Sequence, residues 1–322
     1  MGQFRLEDWA DLSEEDDWPV LLAGNGASRA VSNAFAYDSL LAAANLDPDD
    51  VDLFDHLGTS NFEEVLRSLD FAKIVHEQLG GAPDDVHDRR EVVRHALVET
   101  VNDHHVDWLD VDGPRLTTIK QALRDHHSVF TTSYDLLFYW AMNHNGAQGF
   151  ADFFWHMPDN YFDADDSPLI PNRTHVYWLH GGLHLYRTAD DGTAKRVHLV
   201  GAALLDQFAA GGLLPLYVAE GAPEQKRRSI RRSDYLTFCL ERFEDDDRPL
   251  VVFGQALGPS DQHLVDAIKQ DPDRDVAYAI YPTTQLGVNG VRADIEELLD
   301  RDDIAFFDST THPLGDPALH VP

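Results

Sequence analysis

The sequence predicts an α/β fold, a mainly parallel sheet with helices on both faces, and a helical insert after the first strand–helix unit. Three observations predict it. Short apolar runs of strand length recur and end in small or polar residues. Segments with apolar residues at helical spacing separate them. A glycine-containing turn joins the first apolar run directly to a helix-like stretch.

The first run is Trp18-Pro19-Val20-Leu21-Leu22-Ala23. It breaks at Gly24, Asn25, Gly26, Ala27, Ser28 and Arg29 and resumes as a helix from Ala30 to Phe35. A buried strand, a tight turn and a helix start in that order can hold an anion. From Tyr37 to Asp125 the period is helical, as in Phe62 to Leu69 and Val92 to Val98. A second strand, Ser128 to Thr132, is followed by Ser133-Tyr134-Asp135 and an apolar helix from Leu136 to Met142. The polar, aromatic stretch from Asn143 to Arg173 reads as a loop and a candidate lid.

A third strand, His175 to Leu179, ends at His180-Gly181-Gly182. Leu183 to Tyr186 and Arg196 to Val200 are expected to form a hairpin around Asp190-Asp191-Gly192. Later strands are Leu216 to Val218, Leu250 to Gly254, Val276 to Ile280 and Ile304 to Phe307, with helices Ser233 to Phe243 and Asp261 to Lys269 between them. The whole reads as a Rossmann-like domain in two parts, 1–36 and 126–322, around a helical insert at 37–125, with the lid at 143–173.

Composition narrows the partners. The chain carries 57 acidic against 25 basic residues, 43 of them Asp, and only 5 Lys. Such a surface repels itself at physiological ionic strength and is screened at molar salt, which points to a salty, halophilic cytoplasm, the alternatives being an acidic mesophilic protein or a docking face for a basic partner. Direct nucleic-acid binding is disfavoured, because phosphate backbones need clustered Lys and Arg. The one basic run, Lys226 to Arg232, reads as one face or end of a helix. No apolar stretch is long enough for a membrane span, and the acidic N-terminus lacks the pattern of an export signal, so a cytoplasmic location is expected. The single cysteine, Cys239, reads as core. The pairs His104-His105 and His126-His127 lack the carboxylate or cysteine spacing that completes a site, so no metal is expected.

Open parallel sheets bind ligands at the carboxyl ends of their strands. Here those ends are Gly24 to Ser28, Thr131-Thr132-Ser133-Tyr134-Asp135, His180-Gly181-Gly182, and Gly254 to Leu257 with Asp261. In order and context they resemble the sirtuin-like NAD-binding superfamily. Within it, the segments GNGASRAV, NFEEVL, FTTSYDLLFYW, WLHGGLHL, YVAEG and VVFGQALGPSDQHL are similar to an uncharacterised prokaryotic family.

The resemblance implies that Gly24, Asn25, Gly26, Ala27 and Ser28, with Arg29, cradle the pyrophosphate of NAD. It implies that Asp135 helps to fix the nicotinamide ribose end, that His180 is the catalytic histidine with Ser133 and Asp135 in the catalytic set, that Gly254 and its neighbours face the adenosine half, and that Thr132 and Asp261 belong to the nucleotide site; the alternative for Asp135 is a cap on the helix that starts at Leu136. One position departs from the pattern: relatives carry Asn where this chain has Ser133, which is shorter than the amide. Asn25, in the glycine turn, is the candidate for an alternative amide. The activity implied is NAD glycohydrolysis, releasing nicotinamide and ADP-ribose, with antiphage defence as its setting. The alternative is a weak or inert sensor of NAD or an ADP-ribose-type nucleotide. Zinc-dependent deacetylation is disfavoured, since those enzymes carry a four-cysteine module. A free NADase endangers its own cell, so restraint is expected in a homo-oligomer, by the helical insert, or by the segment from Asn143 to Arg173 closing over the site.

Overall fold

The computed structural model describes residues 5–35, 40–60, 62–81, 84–155, 160–166, 172–197, 215–218 and 223–321. Its strands are β1 (Val20–Ala23), β2 (Ser128–Thr131), β3 (Phe150–Ala151), β4 (Thr174–Trp178), β5 (Gly181–Arg187), β6 (Thr193–Lys195), β7 (Pro215–Tyr217), β8 (Leu250–Phe253), β9 (Val276–Ile280) and β10 (Ala305–Asp308). Seven of them form one parallel sheet in the order β10-β9-β8-β1-β2-β4-β3.

β1 lies at the centre because it is apolar on both faces: all four of its residues are fully buried. Each large apolar side chain withdrawn this way contributes about 1.5–3 kcal/mol. The chain first builds outward from β1 through β2 and β4 and then returns to add β8, β9 and β10 on the other side. The strand order therefore reverses between β1 and β8, which is where an open α/β sheet leaves a crevice. Register keeps the rims level. Ala23 pairs with Thr131 and with Phe253, and Thr131 pairs with Trp178. Gly24, Thr132, Leu179 and Gly254 thus leave the sheet side by side.

The helices are α1 (Trp9–Glu15), α2 (Asn25–Val31), α3 (Leu40–Ala43), α4 (Pro48–Leu57), α5 (Phe62–Gln78), α6 (Asp84–His104), α7 (Gly113–Arg124), α8 (Leu137–Asn143), α9 (Pro223–Arg231), α10 (Asp234–Glu244), α11 (Gln262–Lys269) and α12 (Gln285–Leu299). Helices α3 to α7 fill the interval between the first strand–helix unit and β2. α5 and α6 pack together, with Phe62, Val65, Leu66, Val93 and Leu97 in the core. Local chemistry sets several starts. Asp112 accepts from the Arg115 N–H at 3.0 Å with Pro114 in the first turn of α7, and Ser233 accepts from the Leu236 N–H at 3.2 Å at α10. Cys239 is buried within α10.

Three readings need correction. The strand paired with β5 starts earlier than expected, at Thr193–Lys195, because the turn at Asp190-Asp191-Gly192 closes tightly, with Thr188 N–H on the Gly192 carbonyl at 2.8 Å; Arg196 continues it with its N–H on the His184 carbonyl at 2.7 Å, and residues 198–200 lie outside the described set. β7 joins this hairpin in a separate antiparallel sheet, β6-β5-β7, rather than the main one. The stretch from Asn143 to Arg173, of which 156–159 and 167–171 lie outside the described residues, is loop in most of its described part, but Phe150 and Ala151 form an edge strand on β4, and Phe150, Phe153 and Phe154 are buried while Trp155 is exposed. The aromatics there fill the core beside Tyr235 and Phe238. Among the described residues no helix is long and apolar enough to cross a membrane.

Candidate functional site

The β1–α2 turn is packed against the end of β8. Gly24 donates its N–H to the Phe253 carbonyl at 2.9 Å, and Gly26 donates to the Gly254 carbonyl at 2.8 Å. Gly254 is left-handed, with φ 63°, and a Cβ there would lie 2.6 Å from the Ala27 nitrogen. These glycines are required by backbone meeting backbone. The Gly26 amide is thereby committed, and that of Ala27 donates to the Gly24 carbonyl at 3.1 Å. Ala27 and Ser28 are buried, whereas Arg29 is exposed. Asn25 spends its side-chain N–H on the Phe35 carbonyl at 2.9 Å, so it fixes the chain after α2.

The end of β2 holds a buried carboxylate. Asp135 Oδ2 accepts from Ser28 Oγ at 2.5 Å and from Ser133 Oγ, while its Oδ1 accepts from the Leu137 N–H at 2.8 Å and caps α8. All three side chains are buried. The Asp135 charge is met by three donors, as a buried carboxylate requires. His105, just after α6 in the insert, accepts from the Leu136 N–H at 3.0 Å through Nε2. Burial holds the His105 imidazole below its ordinary pKa, opposed by the nearby Asp135 charge.

The end of β4 carries a second cluster. His180 is buried, and its Nε2 lies 2.9 Å from His263 Nε2 on α11 and 4.0 Å from an Asp261 oxygen. Asp261 accepts from Lys226 Nζ of α9 at 2.6 Å and from Gln255 Nε2 at 2.7 Å. Lys226 is itself buried. Burial drives the His180 imidazole well below its ordinary pKa, and the Lys226 ammonium and His263 push it further. His263 is lowered to about 4, by burial first and then by the Lys226 ammonium, with Asp261 opposing. Both rings are therefore neutral at neutral pH.

Gln255 ties the parts together. Its Oε1 accepts from Thr132 Oγ1 at 2.8 Å, its Nε2 reaches Asp261, and its backbone carbonyl takes the Tyr278 hydroxyl at 2.6 Å. A Cβ on Gly24 would lie 2.3 Å from Gln255 Oε1, so the glycine turn and this amide are in contact. One hydrogen-bonded path thus runs from Thr132 through Gln255 and Asp261 to Lys226, with His180 and His263 beside it.

The structure therefore brings Gly24, Thr132, His180, Gly254 and Asp261 to one rim, puts Ser28, Ser133 and Asp135 into a buried lock under it, and leaves Arg29 outside. Lys226 and His263 are not among the site residues that the sequence predicts, and Gln255 enters there only as part of the Gly254 to Leu257 strand end. His263 stands two residues after Asp261 but among the apolar residues of α11, and Lys226 stands in a basic run, so neither position marks a site by its pattern. The side-chain donors of His180, Asp261 and His263 lie within 4.8 Å of one another, a spacing that a divalent cation could span, but Lys226 already holds the carboxylate. A separate cavity of about 580 Å³ lies beyond β9 and β10, lined by residues including Arg5, Glu7, Thr283 and Asp308.

A family model described as a domain of unknown function (DUF4917) matches residues 21–314. No curated protein matches the chain. Among solved structures, the chain is similar to the one titled "Structure of Sir2Tm bound to a propionylated peptide", at 10% identity over 95% of this chain and 92% of that one, with a TM-score of 0.38.

Proposed function

The chain belongs to the DUF4917 family, and we propose that it binds NAD at the β1/β8 crevice and hydrolyses the nicotinamide–ribose bond. The observation that carries this reading is a neutral, buried His180 on the rim where β1, β2, β4 and β8 end together. The strand-end motifs, which resemble those of sirtuin-like proteins, supply the choice of ligand.

Cleaving that bond builds positive charge on the ribose, so the site must take a proton from a ribose hydroxyl or from water. A neutral imidazole can accept one, whereas a protonated one cannot. Thr132 and Gln255 add polar contacts at the same rim. The pyrophosphate cradle is narrower than the sequence suggested, because the Gly26 and Ala27 amides are occupied within the protein.

One observation favours a second reading, an inert sensor of NAD or a related nucleotide. Ser133, which stands where relatives carry Asn, gives its hydroxyl to Asp135. Asn25 has its amide on Phe35. Neither is thereby set to orient an attacking water. Incubation with NAD followed by chromatography tests the choice: nicotinamide and ADP-ribose support the hydrolase, intact NAD bound at one site supports the sensor, and absence of binding overturns both. The acidic surface recommends running the assay at molar KCl. Antiphage defence and a restraining homo-oligomer belong to the same proposal.

A further inference from the structure

An imidazole of the helical insert meets the end of β2, and its partners settle where its proton sits. His105 Nδ1 lies 2.8 Å from the Val106 carbonyl, which can only accept, so Nδ1 carries the proton. Nε2 lies 3.0 Å from the Leu136 amide, which can only donate, so Nε2 is bare. Both ring nitrogens are satisfied and the ring is neutral. Phe35, after α2, and Trp140, on α8, meet it edge-on with centroids 5.2 and 5.0 Å away, so rings as well as hydrogen bonds hold its orientation.

The Leu136 amide must be satisfied from outside α8. Leu136 is the N-cap of that helix, with φ −91° and ψ 0°, and its apolar side chain caps nothing. The next amide, of Leu137, goes to Asp135 Oδ1 at 2.8 Å. The β2–α8 turn is therefore tied down at two consecutive N–H groups, one by Asp135 and one by the insert, 31 positions earlier in the chain. Asp135 Oδ2 is left to the Ser28 and Ser133 hydroxyls. The charged groups facing the imidazole are Asp135 from this turn and Asp107, two residues after it, whereas Phe35 and Trp140 bring no charge.

We propose that His105 is a positioning residue: through its Nε2 the helical insert fixes the Leu136 amide, and with it the setting of the Asp135 carboxylate next to it. The inference rests on the NAD reading for its purpose, because that reading brings the ribose of the ligand to the end of β2. The hold lasts only while Nε2 is bare. A proton taken from solvent at Nε2 makes it a donor facing the Leu136 donor, and that hydrogen bond breaks. The imidazolium is then drawn to Asp135, whose Oδ2 serves Ser28 and Ser133. Burial, the largest influence, places this protonation below the ordinary histidine value of about 6.5, with Asp135 and Asp107 opposing. The contact therefore holds above that value and is lost as pH falls below it.

The test is NMR of the full-length protein labelled in histidine and leucine, reading the His105 ring nitrogens and the hydrogen exchange of the Leu136 amide. At about pH 8 the ring should be protonated at Nδ1 and bare at Nε2, with the amide protected. As the ring titrates below about pH 6.5, the Leu136 protection factor should fall by about 10-fold. His105→Phe, a ring without an acceptor between Phe35 and Trp140, should show the low protection at every pH. His105→Gln, whose amide oxygen still accepts, should keep the protection and lose the pH step. In turnover at about pH 8 His105→Phe should lower kcat/KM by about 10-fold, and His105→Gln should recover most of it. A ring bare at Nδ1, a Leu136 amide as protected in His105→Phe as in the wild type, a pH step that persists in His105→Gln, or equal turnover by wild type and His105→Phe would overturn the proposal. If His105→Phe does not fold, the wild-type ring and the pH series of His105→Gln decide. The amide is read without turnover, so a protein that leaves NAD intact defeats the hydrolase reading and not this one.

Discussion

Gly26 and Gly254 touch backbone to backbone: the N–H of one meets the carbonyl of the other at 2.8 Å, and a Cβ on Gly26 would lie 2.6 Å from Gly254 Cα. This contact closes the floor between β1 and β8, the two strands that bound the crevice. Gly254→Ala should therefore destabilise twice over, by the clash with Ala27 and by its left-handed φ. We expect a loss of about 2–4 kcal/mol, read from the urea midpoint. A midpoint within error of wild type would mean that the two loops separate freely.

Asp135 should matter to folding before it matters to any ligand. Asp135→Ala removes the acceptor shared by the buried Ser28 and Ser133 hydroxyls, leaving them only their mutual 3.3 Å contact, and frees the Leu137 N–H at the start of α8. A loss of about 2–4 kcal/mol is expected from those unsatisfied groups and the cap. Ser28→Ala leaves Asp135 with Ser133 and Leu137 and should cost roughly 1–2 kcal/mol. If Asp135→Ala unfolds at the wild-type urea concentration, the lock is not structural.

Buried neutral histidines predict an acid weakness. His126, which shares its Nδ1 with the Trp18 carbonyl at 2.7 Å, is lowered to about 4 by burial, and His263 also to about 4. Their folded pKa values lie below the unfolded 6.5, so the unfolded chain binds protons first. The stability they contribute is complete above about pH 6.5 and is lost as pH falls toward 4. By pH 5 the loss is roughly 2 kcal/mol for each. Urea midpoints at pH 7.5 and 5 check this, and His126→Gln should reduce the difference.

The net charge of −32 sets the salt response. Raising KCl from about 0.1 M to 2 M shortens the screening length severalfold and should raise the thermal midpoint by several degrees. A midpoint that is flat in KCl would leave the acidic surface with another purpose.

Much of this was legible in the sequence. β1, β2, β4, β8, β9 and β10 announce themselves as apolar runs, and the rim residues His180 and Gly254 follow from where those runs stop. β3 was not legible, because two paired residues are too few to display a period. Lys226 was hidden for a different reason. In a run with Arg227, Arg228, Arg231 and Arg232 it looks like the solvated side of a helix, and only the packing of α9 against the β8–α11 connection turns it inward. His263 lies among Leu264, Val265 and Ile268, so helical spacing files it with the core; its partner His180 is 83 positions away. Ser133 was visible as a departure, but its consequence was not, because the bond to Asp135 depends on the turn between them.

The central claim is that His180 is the base that cleaves NAD. The direct measurement is the rate of nicotinamide release by wild type and by His180→Ala, each verified as folded by circular dichroism and assayed at molar KCl. We predict steady release by the wild type and a loss of at least about 100-fold in the variant with NAD binding kept. Equal rates in the two proteins would contradict the claim.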